Sequence, residues 1–142
     1  MAERTATVTW SGSLMEGSGT IESVGSGAFG PLDVTWASRT EEPAGRTSPE
    51  ELIAAAHASC FSMALSHALA QAGTPAERLE TSATVTFVPG TGITKSALRV
   101  RGTVSGLDEA AFVQAAQAAK EGCPVSGALA AVPEITLDAA LA

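Results

Sequence analysis

The sequence predicts an α+β domain. Three observations carry this. The elements run as strands, one long helix, two more strands, two helices and a last strand; the two strands between Thr81 and Val104 each show one polar face; and no internal repeat is evident. At 142 residues the chain is long enough to bury a real core and reads as one domain over 1–142.

Residues 4–10 are β-branched and alternate, so they predict a strand. Glycine and serine from Ser11 to Gly19 make a turn, Thr20 to Val24 predicts a second strand, Ser23 to Gly30 a loop, and Leu32 to Trp36 a third strand. Together they predict a meander. Residues 37–48 read as a polar connection carrying Arg39. A helix start follows, with Ser48 as N-cap, Pro49 at N1 and Glu51 closing a capping box. Glu50 falls at N2, where the helix dipole favours a carboxylate. The helix should run to Gln71 or Ala72 and stop at Gly73. It carries no charge from Leu52 to Gln71, which predicts a central helix buried on all sides.

Beyond Pro75, Thr81 to Val88 and Ile93 to Val104 predict an antiparallel hairpin turned by Pro89-Gly90-Thr91-Gly92. Residues 108–121 predict an amphipathic helix capped by Asp108, Pro124 to Ala130 a short helix, and Glu134 to Leu141 a final strand.

Composition excludes several functions. Hydrophobic residues make up 45% and charged residues 16%, so the chain should fold. A net charge of −7 without any basic block argues against nucleic acid and anionic membrane surfaces. Aromatics at 4%, with no tyrosine, argue against a base-stacking platform. No apolar signal segment opens the chain, and no run reads as long and apolar enough to span a bilayer. The expected location is cytoplasmic, where disulfides are rare unless catalytic or redox-sensing.

Chemistry concentrates on Cys60, in the middle of the long helix, and Cys123, in Gly122-Cys123-Pro124-Val125-Ser126. Either could be a small core hydrophobe, and cysteine is often buried. The alternative is a reacting pair, which needs a group that holds a thiolate. Arg39 and Glu50 lie just upstream. Glu50 is ten helical positions before Cys60, roughly 15 Å, so the two cannot touch. An arginine from the preceding loop or from another chain could span that gap, lowering the thiol's pKa while the carboxylate fixes its orientation. As simpler roles, Glu50 would serve the helix dipole and Arg39 would be a solvated charge. The N–H groups after Pro124 could likewise favour a thiolate at Cys123. His57 reads as a satisfied core histidine. A zinc site from His57, Cys60, His67 and Cys123 matches no known ligand spacing.

The segment from Thr47-Ser48-Pro49-Glu50-Glu51-Leu52 through His57-Ala58-Ser59-Cys60-Phe61-Ser62 closely resembles the first cysteine motif of the osmotically induced protein C and organic hydroperoxide resistance (OsmC/Ohr) family. Gly122-Cys123-Pro124-Val125-Ser126 resembles the second. Ile93 to Leu98 and Glu134 to Asp138 look like its strands, and the likeness covers essentially the whole chain, least of all Ser23 to Gly30. The place of Arg39, in Trp36-Ala37-Ser38-Arg39-Thr40 before the long helix, is like the osmotically induced branch, and His57 suits that branch too.

The resemblance implies antiparallel sheets wrapped around long central helices in an intertwined homodimer, with active sites at the subunit interface. It implies a thiol-dependent peroxidase of the oxidative and osmotic stress response, acting on organic hydroperoxides and more weakly on hydrogen peroxide. Cys60 would be the peroxidatic cysteine, Cys123 the resolving cysteine, Arg39 the activating cation and Glu50 its carboxylate partner. A dithiol, such as a lipoylated protein, would be the reductant. No metal or other cofactor is expected. The competing expectation is a non-catalytic thiol redox sensor or ligand-binding module on the same fold.

Overall fold

Period-two segments pair into two three-stranded sheets. The computed structural model describes all residues, Met1–Ala142, and the chain divides into two compact units, Met1–Leu52 and Ile53–Ala142.

In the first unit, β1 (Ala6–Ser11), β2 (Ser18–Val24) and β3 (Leu32–Val34) form the expected antiparallel meander in the order β1-β2-β3. Ile21 is the only large apolar side chain buried in this unit, and every residue of β1 is exposed. The polar connection holds an element that the sequence reading missed, the short helix α1 (Trp36–Thr40). Its signal was present: Thr35 and Ser38 form a reciprocal capping box, each side chain accepting from the other's backbone amide, at 3.0 and 2.9 Å. The third strand therefore ends before Trp36.

The long helix α2 (Pro49–Gln71) starts in the first unit and continues through the second. At its start the Ser48 hydroxyl accepts from the Glu51 amide at 3.1 Å. The expected return bond takes another route, because the Glu51 carboxylate accepts from the Thr47 hydroxyl at 3.0 Å. At the other end Gly73 takes φ +84°, which a side chain would resist. Amides of Gly73 and Thr74 reach the carbonyls of Ala70 and Leu69, both at 3.0 Å, so the helix closes as a Schellman turn.

In the second unit, β4 (Arg78–Val88) and β5 (Gly92–Thr103) pair antiparallel, and β6 (Glu134–Leu141) adds to β5 in parallel. Helices α3 (Glu109–Gly122) and α4 (Pro124–Ala128) form the crossover between β5 and β6. Inward residues of β5, among them Leu98 and Val100, join Phe61, Leu65 and Leu69 of α2 and Phe112 and Ala116 of α3 in one core. Phe112 lies directly on β5 at Gly102, where an added Cβ would come within 2.5 Å of the ring. All of these side chains are fully buried.

Two expectations about α2 need correction. Within the chain it is buried along one stripe, His57-Phe61-Leu65-Leu69, and not on all sides; Ala55, Ser59, Ser66 and His67 are exposed and Met63 is 68% exposed. One chain offers this stretch a single sheet, and a sheet covers one face of a helix. The helix is also long and apolar enough, by length and composition, to cross a bilayer (mean hydropathy 1.4), where the sequence reading saw no such run. Here its Phe61, Leu65 and Leu69 belong to the core of the unit.

Candidate active site

Four candidate residues fall into two pairs. The first pair is Arg39 with Glu50. The Ser38 hydroxyl, buried under α1, reaches the Thr47 carbonyl at 3.1 Å, and the Thr47 amide donates to the Asp33 carbonyl at 3.1 Å. These bonds fasten the start of α2 beside α1. Glu50 then meets Arg39 as a fork: Nε donates to Oε1 and Oε2 at 3.0 and 3.1 Å, and an Nη donates to Oε1 at 2.7 Å. The carboxylate is nearly buried (8% exposed) and the guanidinium more open (29%). Such a planar, charge-assisted pair fixes orientation as well as charge. The guanidinium carbon lies 5.8 Å from the centre of the Trp36 ring. A largely apolar hollow of about 180 Å³ opens here, lined by Trp10, Leu14, Val34, Trp36, Arg39 and Pro49.

The second pair is Cys60 with Cys123. Both are free thiols, Cys123 buried in the core of the unit and Cys60 partly exposed and packed against that core, and each acts on the other's pKa. Cys123 sits at the junction of two helices: its amide closes α3 on the Ala119 carbonyl at 2.9 Å, and its side chain stands before Pro124 of α4. Burial pushes the Cys60 thiol up, and its bond to Cys123 pushes the same way, against a smaller pull from the Val125 amide. Burial also works to raise Cys123. That is outweighed by hydrogen bonds from the Cys60 thiol, the amides of Ser126 and Val125, and the Ser126 hydroxyl, so its net direction is down. The sequence reading looked for a lowered pKa at Cys60. Within this unit the shifts run up at Cys60 and down at Cys123.

His57 is fully buried one turn before Cys60. Its Nδ1 is 2.7 Å from Ser96 Oγ and its Nε2 is 2.9 Å from Ser126 Oγ. Both ring nitrogens are thereby occupied, which takes His57 out of any metal-ligand set, and no group of three His, Cys, Asp or Glu side chains converges anywhere. Ser96 and Ser126 were not legible as site residues. The one available signal was a serine at an inward position of β5, between Thr94 and Leu98, where an apolar residue is expected.

An α+β fold with two free thiols that act on each other's pKa, one of them shifted down, is equipment for thiol redox chemistry. The family model for OsmC-like proteins matches residues 42–138. Over 132 residues the chain is 45% identical to Peroxiredoxin OsmC of Escherichia coli, covering 91% of this chain and 90% of that one, and the same holds for Peroxiredoxin OsmC of Shigella flexneri. Among solved structures it is similar to the organic hydroperoxide resistance protein OhrB of Bacillus subtilis (TM-score 0.65, 25% identity, 97% of this chain and 98% of that one). It shares its fold with an OsmC-like protein of Vibrio cholerae (TM-score 0.73, 20% identity, 98% and 99%). The chain belongs to the OsmC-like family.

Proposed function

We propose that this peroxidase reduces organic hydroperoxides to alcohols, with Cys60 as the peroxidatic thiol, Cys123 as the resolving thiol, Arg39 as the activating cation and Glu50 as its anchor. The peroxidase class comes with the 45% identity to proteins named for it. The observation that carries the finer reading is the pair of free thiols packed at one core.

The chemistry runs in three steps. Cys60 thiolate attacks the terminal peroxide oxygen, the O–O bond breaks, and the alkoxide leaves as alcohol after taking a proton. Cys123 then displaces the hydroxyl of the Cys60 sulfenic acid, giving the disulfide and water. A dithiol reductant, such as a lipoylated protein of the cytoplasm, restores both thiols by exchange. The first step needs charge on Cys60, and the pair alone favours Cys123. An added cation is what tips the balance, and that is the role assigned to Arg39.

An organic substrate is favoured by the apolar hollow beside Arg39, because each buried methylene of an alkyl tail contributes about 0.8 kcal/mol. The relative from Bacillus subtilis carries organic hydroperoxide resistance in its name. A homodimer is favoured by the exposed apolar face of α2 and by a first unit with only Ile21 as a large buried side chain.

The test is peroxide consumption with cumene hydroperoxide and hydrogen peroxide, using a lipoyl donor or dithiothreitol, with light scattering on the same sample. Turnover that is faster on the cumene peroxide, by a dimer, is expected. A disulfide that forms once and does not turn over would point to a sensor and sink the enzyme mechanism. A folded, fully active monomer would remove the interface site.

A further inference from the structure

The hollow of the first unit is built over a residue with no side chain. Trp10 of β1, Gly19 of β2 and Val34 of β3 are direct cross-strand partners, so they form one row across the sheet and share a face. Trp10 and Val34 both line the hollow of about 180 Å³, and Gly19 is buried. A Cβ added to Gly19 would stand 2.7 Å from Trp10 Cε3, 3.3 Å from Cζ3 and 3.0 Å from Val34 Cγ2. The indole is held at its other edge, where Nε1 donates to the Gly12 carbonyl at 3.0 Å. The backbone does not ask for glycine here. Gly19 has no positive φ, so other residues could adopt its conformation, and glycine inside a strand costs stability. What the position needs is the missing Cβ.

We infer that Gly19 is a specificity-determining residue: it lets the Trp10 ring lie down on the sheet beside Val34, and so keeps the hollow deep enough for a bulky organic group. The inference rests on the proposed reading of the hollow as the site of the substrate's alkyl tail. Carbon atoms in contact sit roughly 3.5–4.0 Å apart, so a Cβ at this position displaces the ring edge by about 1 Å. Pinned at Nε1, the indole pivots, and its benzo edge lifts off the sheet into the space that it bounds with Val34. A branched or aryl group loses that space. Hydrogen peroxide does not use it. The effect of filling Gly19 therefore grows with the size of the organic group. A glycine that served only the packing of the meander would, when replaced, weaken turnover of every peroxide alike.

The experiment measures kcat/KM for cumene hydroperoxide, tert-butyl hydroperoxide and hydrogen peroxide with dithiothreitol, in wild type, Gly19→Ala, Trp10→Ala and the double variant. Gly19→Ala should lose about tenfold on the cumene peroxide, as for roughly two methylenes of lost burial, about threefold on the tert-butyl peroxide, and less than about twofold on hydrogen peroxide. In the Trp10→Ala background the same substitution should change each value by less than about twofold, because the ring it displaces is gone. Melting temperatures give a readout that does not depend on turnover. Gly19→Ala should melt lower than wild type, whereas the double variant should melt no lower than Trp10→Ala, since the Cβ then has room and alanine restricts the unfolded chain. Equal losses on all three peroxides would overturn the inference, and so would losses from the two substitutions that simply multiply. Should Gly19→Ala alone fail to fold, the double variant decides: a folded protein supports the contact with the ring, an unfolded one overturns it. Wild type that reduces all three peroxides equally well would overturn the reading of the hollow, and this inference with it, before any variant is compared.

Discussion

The two units satisfy their buried polar groups in different ways. In Met1–Leu52 the nearly buried Glu50 carboxylate is held by a guanidinium, in a unit with little core of its own. In Ile53–Ala142 a neutral imidazole and two hydroxyls, all buried, complete each other inside a well-filled core. The difference follows from what each can exclude. A carboxylate can be buried when an arginine fork meets it and solvent is near. A histidine in a dry core is better left neutral, and then it needs one donor and one acceptor. The first unit thus stores a charge and the second stores a proton arrangement.

Removing the proposed reacting sulfur should have the largest effect. Cys60→Ser should abolish peroxide reduction, and substantial residual turnover would break the division between the units. Cys123→Ser should consume about one equivalent and stall as sulfenic acid under a dithiol, with some turnover surviving under a monothiol.

Next comes the charge. Arg39→Ala should slow Cys60 oxidation by about 10- to 100-fold, the worth of one hydrogen-bonded charge. Arg39→Lys should rescue only in part, because an ammonium cannot make the planar fork with Glu50. Glu50→Ala should act the same way and more weakly. A pH profile of Cys60 alkylation that is identical in wild type and Arg39→Ala would refute the electrostatic role.

The hollow beside the charge gives a smaller, selective effect. Trp10→Ala should lower kcat/KM for cumene hydroperoxide by about tenfold while leaving hydrogen peroxide nearly unaffected. Equal losses on both substrates would mean that the hollow does not hold the alkyl group.

The smallest effect concerns stability and sharpens the contrast from the neutral side. Unfolded, His57 takes up a proton near its ordinary 6.5; folded, burial holds its pKa lower. The unfolded chain then binds more protons below pH 6.5, so stability present above that pH is lost on acidification, by at most about 1.4 kcal/mol per pH unit. Melting temperatures between pH 7 and pH 5 should fall for wild type and fall less for His57→Gln. Parallel curves would remove His57 as the source.

Much of this was legible in the chain. The hairpin, α3 with its Asp108 cap, the stop at Gly73 and the final strand follow from alternation, capping and glycine. All are local, set by residues within a few positions of one another. The pairs Cys60 with Cys123 and Arg39 with Glu50 were singled out as residue types with a purpose, and the structure brings each pair together. Other features were decided only by tertiary structure. Composition could not show that β6 joins β5 in parallel, because that pairing is closed across the α3–α4 crossover. It could not show which face of α2 is covered, because an all-apolar run looks alike from every side and packing selects the stripe. Nor could it show the row from Ser96 through His57 to Ser126, whose members lie 39 and 69 positions from the histidine. A lone buried histidine states only that partners must exist. Which hydroxyls supply them depends on where the fold places β5 and α4.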